Sequence, residues 1–355
     1  MTQDKPLCYA PFIGMYTTGY GEYAPCCVAT KHTLDMTAAE YWNSEQLGAI
    51  RTQLTQHKWP ADCSYCERKA QRGLKTEADI WKRHYERTPV TEPHLLYLDY
   101  RPSNTCNLKC RMCVPNSSSL INSEALEYAD QYRGFRKHRT LNVTDFDEFK
   151  KFLSECELQE IKVLGGEPTM DPLAIEALEA VQCKRLRITT NATNLNRRFR
   201  NILERFEHVH IVFSLDATGD VYDYIRTNAS WPKVSKRIRT MFDEHLADIY
   251  GFNVVCQPYN IFNLPQLEEW FSNIPHEFDV NWDDSDVDYT SLACVLPEHI
   301  EWAFERVSDP VLISILQSTV FDPQLHDKFK KYNRMLDDIR STNLIELDKR
   351  FEQYI

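Results

Sequence analysis

The sequence predicts an α/β fold built around a parallel sheet, with smaller segments before and after it. From about residue 91, short β-rich runs alternate with longer stretches of helical periodicity, which is typical of strand–helix units. Polar or glycine-containing segments follow the first four runs, as expected where parallel strands end. With 355 residues, 43% of them hydrophobic, the chain can bury one large domain and a smaller module.

Six of these runs are predicted to be strands, at residues 95–100, 160–164, 186–190, 209–215, 252–256 and 278–282. Helices are predicted near residues 117–132, 144–156, 171–180, 194–207, 231–247 and 264–273. Six parallel strands covered by helices could form a doubly wound sheet or an incomplete barrel, and periodicity alone does not distinguish the two. In either architecture the chemistry belongs at the carboxyl ends of the strands.

The two ends of the chain follow different patterns. Residues 12–16 and 23–27 flank a glycine-containing turn and predict a β-hairpin, which a helix near residues 37–57 follows. After about Pro297 the pattern is helical. We therefore expect three domains, namely a cysteine-rich module at 1–90, the α/β domain at 91–296 and a helical extension at 297–355.

Charge and cysteine content narrow the function classes. A formal net charge of −11 disfavours broad binding to phosphate backbones, so nucleic acid is not an expected partner. Basic runs at 133–139 and 197–200 are interpreted first as solvated faces and only second as binding sites. The sequence has no signal-peptide pattern and no membrane-length apolar run, which predicts a cytoplasmic protein without a membrane partner. In that reducing compartment the twelve cysteines are expected to be ligands, reactive thiols or core residues rather than disulfides.

Cys106, Cys110 and Cys113 form the strongest motif, on the loop after the first predicted strand. Cubane iron–sulfur clusters usually take four cysteines, so three ligands with no fourth nearby would leave one iron with an open coordination position, where metals do chemistry. Zinc is the alternative, but structural zinc sites usually show paired CxxC knuckles and four ligands. The spacing CxxxCxxC therefore favours an iron–sulfur cluster.

This motif resembles that of the radical S-adenosylmethionine (SAM) superfamily, whose hallmark is CxxxCxxC after the first strand of a partial (β/α)6 barrel. The resemblance implies a 4Fe-4S cluster whose open iron is chelated by the amino and carboxylate groups of SAM. It also implies an enzymatic reaction in which one electron cleaves SAM to methionine and a 5'-deoxyadenosyl radical. That radical then abstracts a hydrogen from the substrate.

Further positions match the family's pattern in the expected strand order. Gly165, Gly166, Glu167 and Pro168 read as the GGEP motif, in which the glycines permit close approach of the backbone and the acidic residue helps to hold the amino group of SAM. Met112 stands where many members carry an aromatic residue, and methionine can still pack beside adenine.

Four positions after later strands complete the resemblance. Ser214 and Asp216 stand where the family makes ribose or carboxylate contacts, and Arg226 in YIRT resembles the arginine that pairs with the SAM carboxylate. Asn191 lies in a TNA triplet that resembles the family's TNG and implies a polar contact to SAM or substrate. Each residue alone could be a turn, a helix cap or a surface residue, but their order along the chain favours cofactor binding.

The amino-terminal cysteines resemble the SPASM and shorter Twitch modules of radical SAM enzymes, which bind auxiliary 4Fe-4S clusters. Here the module precedes the α/β domain, whereas in most relatives it follows. The ligand set that we expect is Cys8, Cys26, Cys63 and Cys66, without Cys27, which would crowd its neighbour. A four-thiolate zinc site is the alternative.

The same resemblance suggests a peptide or protein segment as substrate, because SPASM and Twitch enzymes often modify ribosomal peptides. The alternatives are radical chemistry on a small molecule, such as a sugar, an alcohol or a nucleotide-derived metabolite, and a non-enzymatic zinc protein that binds partners. A radical SAM enzyme also implies a reducing electron donor such as flavodoxin or ferredoxin.

Overall fold

The computed structural model describes residues 6–85, 92–141 and 145–355. The strands are β1 Gly14–Thr18, β2 Glu22–Ala24, β3 His32–Thr33, β4 Tyr97–Arg101, β5 Lys109–Cys110, β6 Glu160–Val163, β7 Arg185–Thr190, β8 His208–Ser214, β9 Arg226–Thr227, β10 Ile249–Cys256 and β11 Asp279–Asp284.

The α-helices are α1 Ala10–Ile13, α2 Ala38–Trp42, α3 Glu45–Thr55, α4 Ser64–Gln71, α5 Glu77–Tyr85, α6 Ser119–Glu127, α7 Phe146–Glu155, α8 Pro172–Ala180, α9 Arg197–Leu203, α10 Gly219–Ile225, α11 Trp231–Asp243, α12 Leu264–Ser272, α13 Pro297–Phe304, α14 Pro310–Ser318 and α15 Pro323–Arg340. In the described part of the chain, no helix combines the length and the apolar character that crossing a membrane requires.

The chain consists of two compact structural units. The first contains Met1–Ser103, Leu141–Ile188 and Arg198–Val209, and the second contains Asn104–Thr140, Thr189–Arg197 and His210–Ile355. The expected domain boundaries at residues 90 and 296 remain a prediction.

The first unit contains a mostly parallel set of strands in the order β7-β6-β4-β1-β2-β3. The predicted hairpin is confirmed, since Tyr16 of β1 pairs antiparallel with Ala24 of β2. The structure adds a parallel pairing between β1 and β4, in which Gly14 lies opposite Tyr97. All five residues of β1 are buried, which is typical of a strand inside a parallel sheet and not of an exposed hairpin arm.

The second unit contains the parallel strands β8, β10 and β11, in which Ile249 pairs with His210 and Phe252 with Val280. Aromatic side chains fill the core beside them: Phe252 lies 5.4 Å from Phe213, and Phe242 lies 4.1 Å from Tyr250, between ring centroids. A separate antiparallel pair, β5 with β9, belongs to the same unit.

The six predicted strands and the six helices between them are confirmed, with shifts of a few residues at their ends. The helix expected near residues 37–57 is instead two helices. Thr37 and Glu40 form a capping box that starts α2, and Ser44 accepts a hydrogen bond from the Leu47 amide and starts α3. Two capping signals seven residues apart therefore divide the segment. The predicted first hairpin strand also starts later, because Phe12 and Ile13 belong to α1.

Candidate active site

The cysteine triplet lies on a loop that the short strand β5 holds in place. Cys110 is the second residue of β5, and it pairs with Arg226 of β9. The amide of Cys113 donates to the carbonyl oxygen of Cys110 at 3.0 Å, and the amide of Leu108 donates to Sγ of Cys106 at 3.5 Å. One backbone N–H group of the loop therefore donates to the sulfur of Cys106, and the loop turns tightly between Cys110 and Cys113.

The start of α6 stabilises the same loop. Oγ of Ser118 donates to the carbonyl of Leu108 at 2.8 Å, and the amide of Cys106 donates to Oγ of Ser119 at 3.2 Å. Ser118 also caps α6 by accepting from the amide of Ile121. A serine-rich helix start therefore fixes the segment that carries Cys106.

Arg226, one of the predicted SAM-binding residues, contacts both Asp216, another of them, and Cys110 of the triplet. Its Nη2 lies 2.8 Å from Oδ2 of Asp216, and its Nη1 lies 3.8 Å from Sγ of Cys110. Asp216 is fully buried and also accepts from the amide of Val255 at 3.0 Å. Burial raises the pKa of the Asp216 carboxyl, which the Arg226 charge counteracts. Nε of Arg226 is buried without a hydrogen bond.

Asn191 is tied to the residue that follows the first cysteine. Its Nδ2 donates to Oδ1 of Asn107 at 3.1 Å, and Nδ2 of Asn107 donates to Oγ1 of Thr193 at 2.9 Å. Ser214, at the end of β8, and Met112 are both half-buried. The second unit therefore brings together Cys110, Asp216 and Arg226, and it ties Asn191 to the cysteine loop.

Three arginines that the sequence analysis did not single out also contact this loop. Arg111, inside the triplet, is fully buried and pairs with Asp337 of α15 at 2.7 Å. Nη1 of Arg340 donates to the carbonyl of Lys109 at 2.8 Å, and Nη2 of Arg136 donates to the carbonyl of Arg111. The two carbonyls on either side of Cys110 are therefore each bonded by a guanidinium.

Cys110 is buried, Cys106 and Cys113 are half-buried, and the three thiols are close enough to influence one another. Burial raises the pKa of Cys110 to about 12, while Arg226 lowers it and the Cys113 and Cys106 thiols raise it further. Burial likewise raises the pKa of Cys113. Such thiols become thiolates most readily on binding a metal, which displaces their protons.

The described residues contain no group of three or more His, Cys, Asp or Glu side chains already gathered around one ion position. In a cubane cluster each thiolate binds a different iron, so the three thiols do not need to converge on one point. The donor set of three thiols, the amide near Cys106 and the neighbouring guanidinium fits an anionic cluster of this kind.

The GGEP motif lies in the first unit, at the carboxyl end of β6. Gly165 has φ +136°, and a Cβ on it would lie 3.0 Å from the carbonyl oxygen of Ser103. The Gly166 amide donates to that same oxygen at 3.0 Å. Glu167 is buried and accepts from Oγ1 of Thr169 at 2.6 Å, and Pro168 is buried beside it. Glycine is therefore required at 165 by both the conformation and the close approach.

The first unit also gathers the four amino-terminal cysteines selected from the sequence. Cys8, Cys26, Cys63 and Cys66 line one small, largely apolar cavity, whereas Cys27 does not line it. Burial raises the pKa of Cys63 to about 12, and the nearby Cys66 thiol raises it further. The amide of Ala10 donates to Sγ of Cys8 at 3.4 Å. The four thiols therefore share one cavity without converging on a single ion position.

Comparison with known proteins identifies the class of this site. Residues 100–265, somewhat less than half of the chain, match the family described as the Radical SAM superfamily. Residues 100–265 therefore match a radical SAM domain, and domains of this family bind a 4Fe-4S cluster and SAM. No protein of curated function matches the chain in sequence.

Several solved structures resemble the fold at low identity. The structure titled "Native anSMEcpe with bound AdoMet" is 15% identical, with a TM-score of 0.42 over 59% of this chain and 59% of that one. SuiB from Streptococcus suis, bound to its precursor peptide SuiA, is 16% identical, with a TM-score of 0.41 over 92% of this chain and 74% of SuiB. The chain thus spans less than two thirds of the length of anSMEcpe.

Proposed function

We propose that this chain cleaves SAM reductively at a 4Fe-4S cluster held by Cys106, Cys110 and Cys113, and that it abstracts a hydrogen from a peptide or protein segment. When bound, the cluster supplies the electron that converts SAM to methionine and a 5'-deoxyadenosyl radical. The match to the radical SAM superfamily supports this proposal because it contains all three cysteines and every other position expected to bind SAM.

The contact between Arg226 and Cys110 carries the proposal. A SAM molecule chelated through its carboxylate to the iron beside the triplet needs its arginine partner next to a cluster ligand. The pairing of β5 with β9 puts the guanidinium 3.8 Å from Sγ of Cys110. Asp216 holds the same guanidinium from the other side at 2.8 Å, so its direction is fixed before a ligand arrives.

The remaining residues have roles that follow from their surroundings. Glu167, buried and bonded by Thr169, would accept from the ammonium group of SAM. Asn191 and Ser214 would contact SAM or substrate with their polar groups, and Met112 would pack beside adenine. Gly165, Gly166 and Pro168 shape the backbone on which Glu167 is held.

For the architecture, we infer that the parallel strands form the partial (β/α)6 barrel of the family, within the boundaries 91–296. A Twitch- or SPASM-like module at 1–90 would hold an auxiliary cluster, which we expect to be 4Fe-4S, on Cys8, Cys26, Cys63 and Cys66. Their common cavity supports this assignment. Four ligands would close that cluster to substrate and suit electron relay or structural support.

The peptide substrate depends on the resemblance of this amino-terminal module, and radical chemistry on a small molecule is the alternative. We further propose a cytoplasmic enzyme that receives electrons from a donor such as flavodoxin or ferredoxin. Deuterium transfer from a candidate substrate into 5'-deoxyadenosine would identify the substrate and the radical step together.

The test of the chemistry is anaerobic. Reconstituted and reduced protein given SAM is expected to release 5'-deoxyadenosine, and Cys110→Ala is expected to abolish the release because the cluster loses a ligand. Cys156→Ala, a half-buried cysteine outside the triplet, is the matched control. Turnover that persists in Cys110→Ala, or wild-type protein that holds zinc and no iron or sulfide, would overturn the proposal.

A further inference from the structure

Arg136 is a buried cation without a carboxylate partner. Only 5% of the residue is exposed, and its Nε and Nη1 are buried without hydrogen bonds. In the ranges 6–85, 92–141 and 145–355, no carboxylate forms an ion pair with it. Its neighbours are neutral phenols, among them Tyr332, whose ring centroid lies 4.8 Å from the guanidinium carbon.

The other buried arginines around the triplet differ in this respect. Arg111 pairs with Asp337, Arg226 with Asp216, and Arg340 with Glu124, at 2.7, 2.8 and 2.7 Å. Each of these three arginines therefore has a carboxylate partner in the same unit, although Arg340 shares Glu124 with Lys109. Arg136 differs from them because no carboxylate among the described residues pairs with it.

Burying an unpaired charge costs free energy, and such a residue persists where an anion compensates it. Arg136 bonds the carbonyl of Arg111, which is two residues from Cys113 and adjacent to Cys110. An anionic group held by the triplet would therefore lie close to Arg136.

Resting on the function proposed above, we propose that Arg136 is the charge partner of the iron–sulfur cluster and raises its reduction potential. Reduction transfers one electron from the external donor to the cluster, so the cluster becomes more negative by one charge. A fixed cation bonded to the backbone between Cys110 and Cys113 would stabilise the reduced state more than the oxidised one. Arg136 is on this account a positioning and tuning residue, which acts on the cluster and not on substrate.

The experiment is a redox titration of the anaerobically reconstituted full chain without SAM, followed by the EPR signal of the reduced cluster. In Arg136→Gln the ratio of reduced to oxidised cluster at fixed potential is expected to fall about tenfold, which is about 59 mV for one electron. Arg136→Met replaces the charged side chain by an unbranched apolar one and is measured in parallel. Its reduction potential should shift by the same amount as that of Arg136→Gln. Arg136→Lys keeps the charge and should stay within about threefold of wild type.

Two controls separate charge from loop geometry. The hydroxyl of Tyr332 also donates to the Arg111 carbonyl, at 2.8 Å. Tyr332→Phe removes this hydrogen bond without changing the charge, so the reduction potential of the cluster should stay unchanged. Arg133→Gln changes an exposed arginine of the same basic run, which pairs with Asp130, and should also have no effect. An equal shift in Tyr332→Phe and Arg136→Gln would show that the hydrogen bond, and not the charge, sets the potential.

Three other outcomes also decide the question. An unchanged potential in fully loaded Arg136→Gln overturns the proposal. If both uncharged variants fold without iron, as judged by circular dichroism, but bind no cluster while Arg136→Lys does, the cation is required for cluster binding and the proposal stands. If neither uncharged variant folds without iron, Arg136 is structural and the proposal fails. Wild-type protein without an iron–sulfur spectrum would instead refute the proposed function itself.

Discussion

Arg111 and Asp337 form an ion pair of 2.7 Å between residues that are 226 positions apart in the chain. The pair connects the interior of the cysteine motif to α15. Nη2 of Arg111 also donates to Oγ1 of Thr342 at 2.6 Å, and its guanidinium carbon lies 3.5 Å from the ring centroid of Tyr224. The carboxyl-terminal helix is therefore part of the support of the proposed active site.

Asp337→Ala tests this support. It leaves the fully buried Arg111 without its counter-charge, and removing one partner of a buried pair costs about 3–5 kcal/mol of the free energy of unfolding. Urea denaturation of the wild type and the variant measures the loss. Asp130→Ala, which breaks the exposed pair with Arg133, is the control and should leave the midpoint unchanged. A midpoint in Asp337→Ala equal to that of wild type would contradict the assigned role.

Gly165→Ala is expected to destabilise the first unit. The glycine has φ +136°, and an added Cβ would lie 3.0 Å from a backbone oxygen. Such strain costs on the order of 1–3 kcal/mol. Gly48→Ala is the matched control: apart from the adjacent residues and the backbone of α3 itself, no atom lies within 4 Å of its Cβ position, so it should stabilise by about 1 kcal/mol. Thermal unfolding that changes in the same direction in both variants would argue against this reading of Gly165.

Arg226→Gln should weaken SAM binding to the reconstituted enzyme. Hydrogen bonds to charged groups contribute about 1.5–3 kcal/mol, which corresponds to roughly a 10- to 150-fold rise in Kd. Equilibrium dialysis under anaerobic conditions measures the Kd for SAM of both proteins. Arg198→Gln, an exposed arginine that pairs with Glu179, serves as the control. Equal SAM affinity in wild type and Arg226→Gln would remove this arginine from the binding site.

Cys63→Ala should lower the total iron content while the signal of the SAM-binding cluster stays visible. Cys63 lines the common cavity of the amino-terminal cysteines, and Cys27 does not. Cys27→Ala should therefore leave the iron content unchanged. Iron analysis together with EPR spectroscopy checks both variants, and the reverse result would exchange the two cysteines in the ligand set.

Acid should weaken the contact between α6 and α15 through Glu124. Burial raises the pKa of this carboxyl, but its bonds to Arg340, Lys109 and Tyr132 outweigh burial and hold the pKa at about 2, below the ordinary value of 4.5. A lowered folded-state pKa gives stability that is complete above about pH 4.5 and is lost as pH falls toward 2. The slope of unfolding free energy against pH in this window should be shallower in Glu124→Gln. Identical slopes would contradict the assignment.

Local signals in the sequence were sufficient for the six strands from residue 95 onward, for the six helices between them and for the cysteine motif. The strands from 95 onward were predictable because short β-rich runs were separated by helical periodicity, and the triplet was predictable because its ligands are adjacent in the chain. The parallel pairing of β1 with β4 was not predictable, because it joins a strand near the start of the cysteine-rich module to a strand that lies after the module. Arg136 was missed for another reason: it lies in a basic run whose other residues suggested a solvated face, whereas its side chain is buried.

The bonds from α15 to the cysteine loop also set an order of events during synthesis. The carbonyl of Lys109 accepts a hydrogen bond from Arg340, and that of Arg111 accepts one from Tyr332. The ribosome adds both of these partners more than two hundred residues later. At about 5–20 residues per second, this delay is roughly 10–45 s. The nascent loop lacks these partners throughout that interval, so a cluster held by the triplet would be inserted after translation has passed α15.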